Sequence, residues 1–110
     1  MEASPGVFVS NISTIDWVAD PDVPGSEMHE LVHDGEIWAG LTRILAVDGP
    51  VPWTPDRRET IHVLEGAVRI DFEDGRPSLE LRPGDIASFP AGIAMSWHVT
   101  TPFKELWFFG

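Results

Sequence analysis

Cysteine is absent from the 110 residues, which excludes disulfide bridges, thiolate metal sites and cysteine nucleophiles. Basic residues are scarce: 7 Lys and Arg stand against 18 Asp and Glu, for a formal net charge of -11. A surface of that sign repels nucleic-acid phosphates and anionic lipid, so neither nucleic acid nor membrane is an expected partner. Long apolar runs are missing as well. None approaches the ~18 residues of a membrane-crossing helix, and no basic start leads into an apolar stretch. The expectation is a cytoplasmic protein. What is present is 43% hydrophobic residues in a chain of common single-domain length, enough for one core.

Ten glycines and ten prolines are spread along the chain and cut it into short pieces, which suit strands rather than long helices. Residues Met1 to Ser13, with Val7, Phe8, Val9 and Ile12, read as an edge strand or a packing arm. Trp17 reads as an anchor for the turn-rich segment that ends at Pro24-Gly25. Asp34-Gly35 is a strong hairpin signal between Met28–Val32 and Ile37–Val47. In the second of these strands Ile37, Ala39, Leu41, Arg43 and Leu45 share one face, with Trp38, Gly40, Thr42 and Ile44 on the other. Further breaks at Asp48–Pro52, Gly66, Glu73–Gly75, Arg82–Asp85 and Pro90–Gly92 give roughly eight to ten short strands. The pattern predicts an all-β sandwich or barrel.

The stretch Glu59-Thr60-Ile61-His62-Val63-Leu64-Glu65-Gly66 stands out. Alternation places Glu59, Ile61 and Val63 on one face, opposite Thr60, His62 and Leu64. A carboxylate among apolar neighbours sits at a rim or inside a pocket. In the first case Glu59 pairs with Arg57, Arg58 or Arg43. In the second it lies inside, where desolvation raises its pKa and suits it to act as acid or base. The residues leave both readings open.

Two segments together resemble the paired motifs of the cupin superfamily. Gly84-Asp85-Ile86-Ala87-Ser88-Phe89-Pro90-Ala91-Gly92 fits that family's glycine, five residues, proline, any residue, glycine; Glu59 to Gly66 fits its glutamate followed after six residues by glycine. A hairpin of the right length, Val68 to Leu81, lies between them. The resemblance covers about Glu36 to Phe109. Trp53 and Trp97 make the chain similar to small single-domain cupins related to ureidoglycine aminohydrolase. It implies a double-stranded β-helix, a jelly-roll-like barrel, commonly paired as a homodimer. On that basis residues 36–110 form the cupin barrel, and 1–35 an amino-terminal arm whose edge strands pack on it, one domain overall.

In metal-binding cupins the resemblance implies two histidines one residue apart, the motif glutamate and a later histidine. The first pair falls on Pro52 with Thr54, or Trp53 with Pro55, and the last on Met95. Only Glu59 is a ligand type, and one carboxylate does not hold a divalent ion. No cofactor is expected, and only a non-standard divalent site pairing Glu59 with an amino-terminal histidine is left open. His29, His33, His62 and His98 read as surface or interface side chains. The barrel lumen implied by the resemblance collects Trp53, Thr54, Glu59, Ile61, Met95, Trp97 and Arg43, a pocket for a small organic ligand, with Glu59 as the one candidate catalytic group. The alternative is an enzyme acting on a small nitrogen-containing or carbonyl metabolite. His62, Leu64 and part of the apolar run Phe103–Phe109 are candidates for a homodimer face.

Overall fold

Short apolar-polar alternations between glycine and proline breaks become ten strands and no helix in the computed structural model, which describes residues Met1–Gly110. No helix long and apolar enough to cross a membrane is therefore present. β1 (Glu2–Ser4) and β2 (Val7–Phe8) pair into a small exposed ribbon. β3 (Val18–Ala19), β4 (Ser26–Asp34), β5 (Ile37–Ile44) and β6 (Val51–Trp53) follow. β7 (Glu59–Phe72), β8 (Leu79–Leu81), β9 (Ile86–Phe89) and β10 (Met95–Phe109) complete the chain.

β7 and β10, of 14 and 15 residues, run antiparallel along their length. Each bends midway, so its halves belong to two sheets. One sheet has the order β3-β4-β5-β10-β7-β9, using the carboxyl half of β10 and the amino half of β7. The other has the order β6-β10-β7-β8 and uses the remaining halves. Two antiparallel sheets joined through two bent strands form the double-stranded β-helix of the cupin fold.

The bend has a local cause. Thr100 lies opposite Ala67 and Lys104 opposite Glu65, so residues 101–103 bulge past Gly66 alone. Gly66 has φ of 75°, and a Cβ there would lie 2.4 Å from the Pro102 carbonyl oxygen. Only glycine fits. The expectation that Gly66 ends a strand is thus corrected: the strand continues through it and turns a corner. Opposite the bend, Thr101-Pro102 is a cis peptide.

β4 pairs with β5 from Ser26↔Ile44 to Asp34↔Ile37, so a boundary at residue 35 would divide a hairpin of the main sheet. The preceding arm is tied on by side chains. Ser10 Oγ lies 2.8 Å from His29 Nε2, and the Arg43 guanidinium sits 4.5 Å over the Trp17 ring.

One end of the barrel interior is filled. Ile61, Val63, Val68, Ile70, Met95 and Phe103 are at most 2% exposed and interlock with Leu81, Phe89 and Ile93. The outer face of the larger sheet is different. Ile86, His62, Leu106, Leu41 and His29 stand opposite one another in a single row across five strands, with Ile86 69% and Leu106 40% exposed.

Candidate functional site

At the other end the interior opens into a cavity of about 320 Å³. Its walls come from every long element. β5 supplies Trp38, Thr42 and Ile44, and β10 supplies Trp97, Glu105, Trp107 and Phe109. Glu59 begins β7, Trp53 ends β6, and Ser26 and Met28 begin β4. The large rings fit because Gly40 gives way: a Cβ there would lie 2.8 Å from Trp107 Cζ2. Trp38 stacks on Phe109 at 5.3 Å and meets Trp107 edge-on at 4.8 Å. Trp107 Nε1 donates to Thr42 Oγ1 at 2.8 Å, which fixes the central indole. Asp20, Asp22 and Val23 rim the opening, where a second hollow of about 400 Å³ lies between residues 22–25 and 46–52.

Glu59 is 4% exposed, and Trp53 Nε1 donates to its Oε1 at 2.7 Å. Burial pushes its pKa from 4.5 up to about 7, against the smaller opposing effect of that hydrogen bond. No arginine reaches it. Arg43 binds Glu27 at 2.8 Å through Nε, Arg57 donates to the Glu36 carbonyl and Arg58 to Ser88 Oγ. The rim reading, with Glu59 paired to an arginine, is therefore corrected in favour of an interior carboxyl.

Of the other residues assigned to the pocket from sequence, Trp53 and Trp97 line the cavity with Glu59, and four do not. Thr54 follows the cavity-lining Trp53 just past the end of β6 and is exposed. Ile61 lies two residues deeper than Glu59, in the filled end, where it is 0% exposed. Met95 is 1% exposed in the same packing, its flexible thioether chain filling the core. Arg43 is on the outer face of β5, held by Glu27 and Trp17.

A residue that the sequence reading passed over is Glu105. It alternates with Phe103, Trp107 and Phe109 on the inner face of β10, is 6% exposed, and its Oε2 has no hydrogen-bond partner. Burial holds its pKa well above the ordinary carboxyl value, and the charge of Glu59 adds to this. A negative charge on either carboxyl opposes ionisation of the other. The signal was a lone carboxylate at an inward position of an apolar strand, the same signal that marked Glu59. A second buried polar atom, Trp97 Nε1, also lacks a partner.

The donor set does not fit the metal that the fold commonly carries. Glu59 and Glu105 share the lining with indoles, aliphatic groups and, at the rim, Asp20 and Asp22, with no imidazole, and nowhere do three His, Asp or Glu side chains gather so as to hold an ion. The four histidines stand outside the cavity. His29 bonds Ser10, His33 stacks on Trp38 at 5.1 Å, His98 Nε2 lies 2.9 Å from Asp71, and His62 is half-buried on the outer face.

Comparisons with known proteins agree with this architecture. Residues 46–105, more than half of the chain, match the EutQ-like cupin domain. No curated protein sequence matches. Among solved structures, a candidate ethanolamine utilization protein Q from Salmonella typhimurium LT2 superposes with a TM-score of 0.79 at 21% identity, over 99% of this chain and 89% of that one. KdgF from Halomonas sp. does so with 0.68 at 21% identity, over 93% and 92%. Hydroxypropylphosphonic acid epoxidase from S. wedmorenis gives 0.75 at 13% identity, over 97% of this chain and 61% of that one. At these identities the likeness is one of fold. The sequence match is to EutQ-like cupins as a whole and does not distinguish the ureidoglycine aminohydrolase-related group. The chain belongs to the EutQ-like cupin family.

Proposed function

We propose that the protein binds a small organic ligand in its barrel lumen without the help of a histidine-held metal. The observation that carries this reading is the aromatic cavity with an unpartnered carboxyl oxygen on its wall, at Glu105. A close-packed barrel has no reason to keep both an open lumen and an unpartnered buried carboxyl oxygen among its lining residues, whereas a ligand site needs both. Ligand-detected NMR against a set of small metabolites tests it. Binders are expected, and Met28→Trp, which grows into the lumen, should weaken them by at least about tenfold. If no metabolite binds, or if Met28→Trp leaves every binder unaffected, the reading fails.

A second reading is favoured by one value. Glu59 titrates at about 7, close to neutral pH, where a general acid or base works best. In that case the lumen processes a small nitrogen-containing or carbonyl metabolite, and Glu59 moves the proton. The relatives' names span ethanolamine utilization, KdgF and an epoxidase, so the shared barrel favours no single reaction. Glu59→Gln that turns over an identified substrate at the wild-type rate would exclude it.

We further infer that two copies pair through the outer face of the larger sheet. In support, Ile86 and Leu106 are exposed on either side of half-buried His62 in a row that leads to buried Leu41, and the arm also exposes Val7, Phe8 and Val9. Solvent-facing apolar groups gathered in this way are typical of an isologous contact.

A further inference from the structure

The charge around the lumen has one sign. Its lining includes Asp20, Asp22, Glu59 and Glu105 and no lysine, arginine or histidine. The adjoining hollow repeats the pattern with Asp22 and Asp48. Negative potential is thus focused along the route inward, on a chain of net charge -11. An organic anion entering here meets like charge at the rim, from Asp20 and Asp22, and no cation further in. The walls are indole and phenyl faces, which attract a positive centre through their quadrupoles. Deepest in chemical terms is Glu105, 6% exposed, with an oxygen that no protein donor satisfies.

Resting on the reading that the lumen binds a small molecule, we propose that the ligand is an organic cation, a protonated amine whose N–H group donates to Glu105 while its carbon skeleton lies against Trp97 and Trp107. Each wall then has a role. The amine gives Glu105 Oε2 its missing donor. The aromatic faces take the alkyl part and the residual positive charge. Trp97 Nε1, a buried donor with no acceptor, takes an oxygen atom of the same ligand, so an amine that also carries a hydroxyl or carbonyl satisfies both orphan groups. The volume suits a ligand of about ten non-hydrogen atoms, by comparison with ~30 Å³ per water molecule.

A proton leaves when such a ligand arrives. Without it, burial favours the neutral carboxyls; beside a cation the ionised form is favoured, and the carboxyl pKa falls. Affinity therefore rises with pH until Glu59 and Glu105 are ionised. Asp20 and Asp22 at the rim are the other titrating groups facing the ligand.

Three probes of one shape separate the possibilities: benzylammonium chloride, benzyl alcohol and sodium benzoate, titrated by calorimetry at equal ionic strength. Benzylammonium is expected to bind at least about tenfold tighter than benzyl alcohol, and more tightly as pH rises through neutrality, with benzoate giving no heat. In Glu105→Gln the preference for benzylammonium over benzyl alcohol should shrink at least about tenfold. Should that variant fail to fold, the wild-type indole N–H resonances decide: benzylammonium shifts that of Trp97, and a response confined to Trp17 overturns the inference. Equal or tighter binding of benzyl alcohol or benzoate overturns it too, yet leaves lumen binding standing. Heat from none of the three also overturns it, and lumen binding falls with it only if the metabolite screen is blank.

Discussion

Glu59 and Glu105 share a cavity but not a hydrogen-bond environment. Trp53 donates to Glu59 and offsets part of its burial, whereas Glu105 Oε2 faces the interior alone. The folded-state pKa of Glu59, about 7, lies above its ordinary 4.5. Its contribution to stability is therefore complete below 4.5 and is lost as pH rises through about 7. A difference of that size corresponds to about 3 kcal/mol. Glu59→Gln, which keeps an oxygen for Trp53, should remove this dependence. Comparing urea unfolding of the two proteins across that interval, the wild type is expected to lose on the order of 3 kcal/mol relative to the variant. Parallel curves would show that Glu59 is not buried as described. Glu59 was legible in the sequence because a motif framed it. Glu105 was not, because Phe103–Phe109 could be read as an inner strand or an interface, and a carboxylate has a different meaning in each. The choice between them depends on the partner strand: Glu105 lies opposite both Val63 and Thr42, residues some forty or sixty positions away.

At the level of the strand, the corner at Gly66 carries the heaviest geometric demand. Gly66→Ala places a methyl 2.4 Å from the Pro102 oxygen and 2.6 Å from that of Thr100, at a φ of 75°. Gly75, at φ 87° on an open hairpin tip, has nothing within 4 Å. Gly75→Ala should cost about 1 kcal/mol, the backbone penalty alone, and Gly66→Ala about 2–4 kcal/mol, since the ladder must also shift. Denaturant midpoints compare the two, and equal losses would remove the corner from its special place. This contrast shows how far local sequence reaches. The turns at Arg82–Asp85 and Pro90–Gly92 were legible because their chemistry is local: Asp85 Oδ2 accepts from the Arg82 amide at 2.8 Å, and proline and glycine supply the rest. Gly66 announced a special φ equally well. Whether that φ makes a reversal or a bend within one strand depends on the bulge at 101–103, which belongs to another strand. For the same reason Met95 and Ile61 were placed on the correct inner face but not at the correct depth.

For the whole molecule, the proposed pairing of two copies has a direct test. Leu106→Asp puts a charge at the centre of the outer row, next to His62 and Leu41. Sedimentation should show a wild-type dimer and a variant whose dissociation constant is raised at least about a hundredfold. A monomeric wild type, or a dimer indifferent to the change, would rule the outer face out. The added carboxylate points away from the lumen, so ligand binding should survive dissociation. Finally, the two buried carboxyls of the lumen, Glu59 and Glu105, sit on β7 and β10, the two strands that every other strand of the barrel except β3 and β4 adjoins directly, whereas Trp53 sits on the three-residue β6. Local opening should therefore be graded across the cavity wall. Amides of Ile61, Val63 and Trp107 should exchange with deuterium only when the whole domain unfolds, and that of Trp53 through frequent small openings. If so, the spacing of the two carboxyls is a constant of the native state, while the wall at β6 gives way and re-forms without disturbing it.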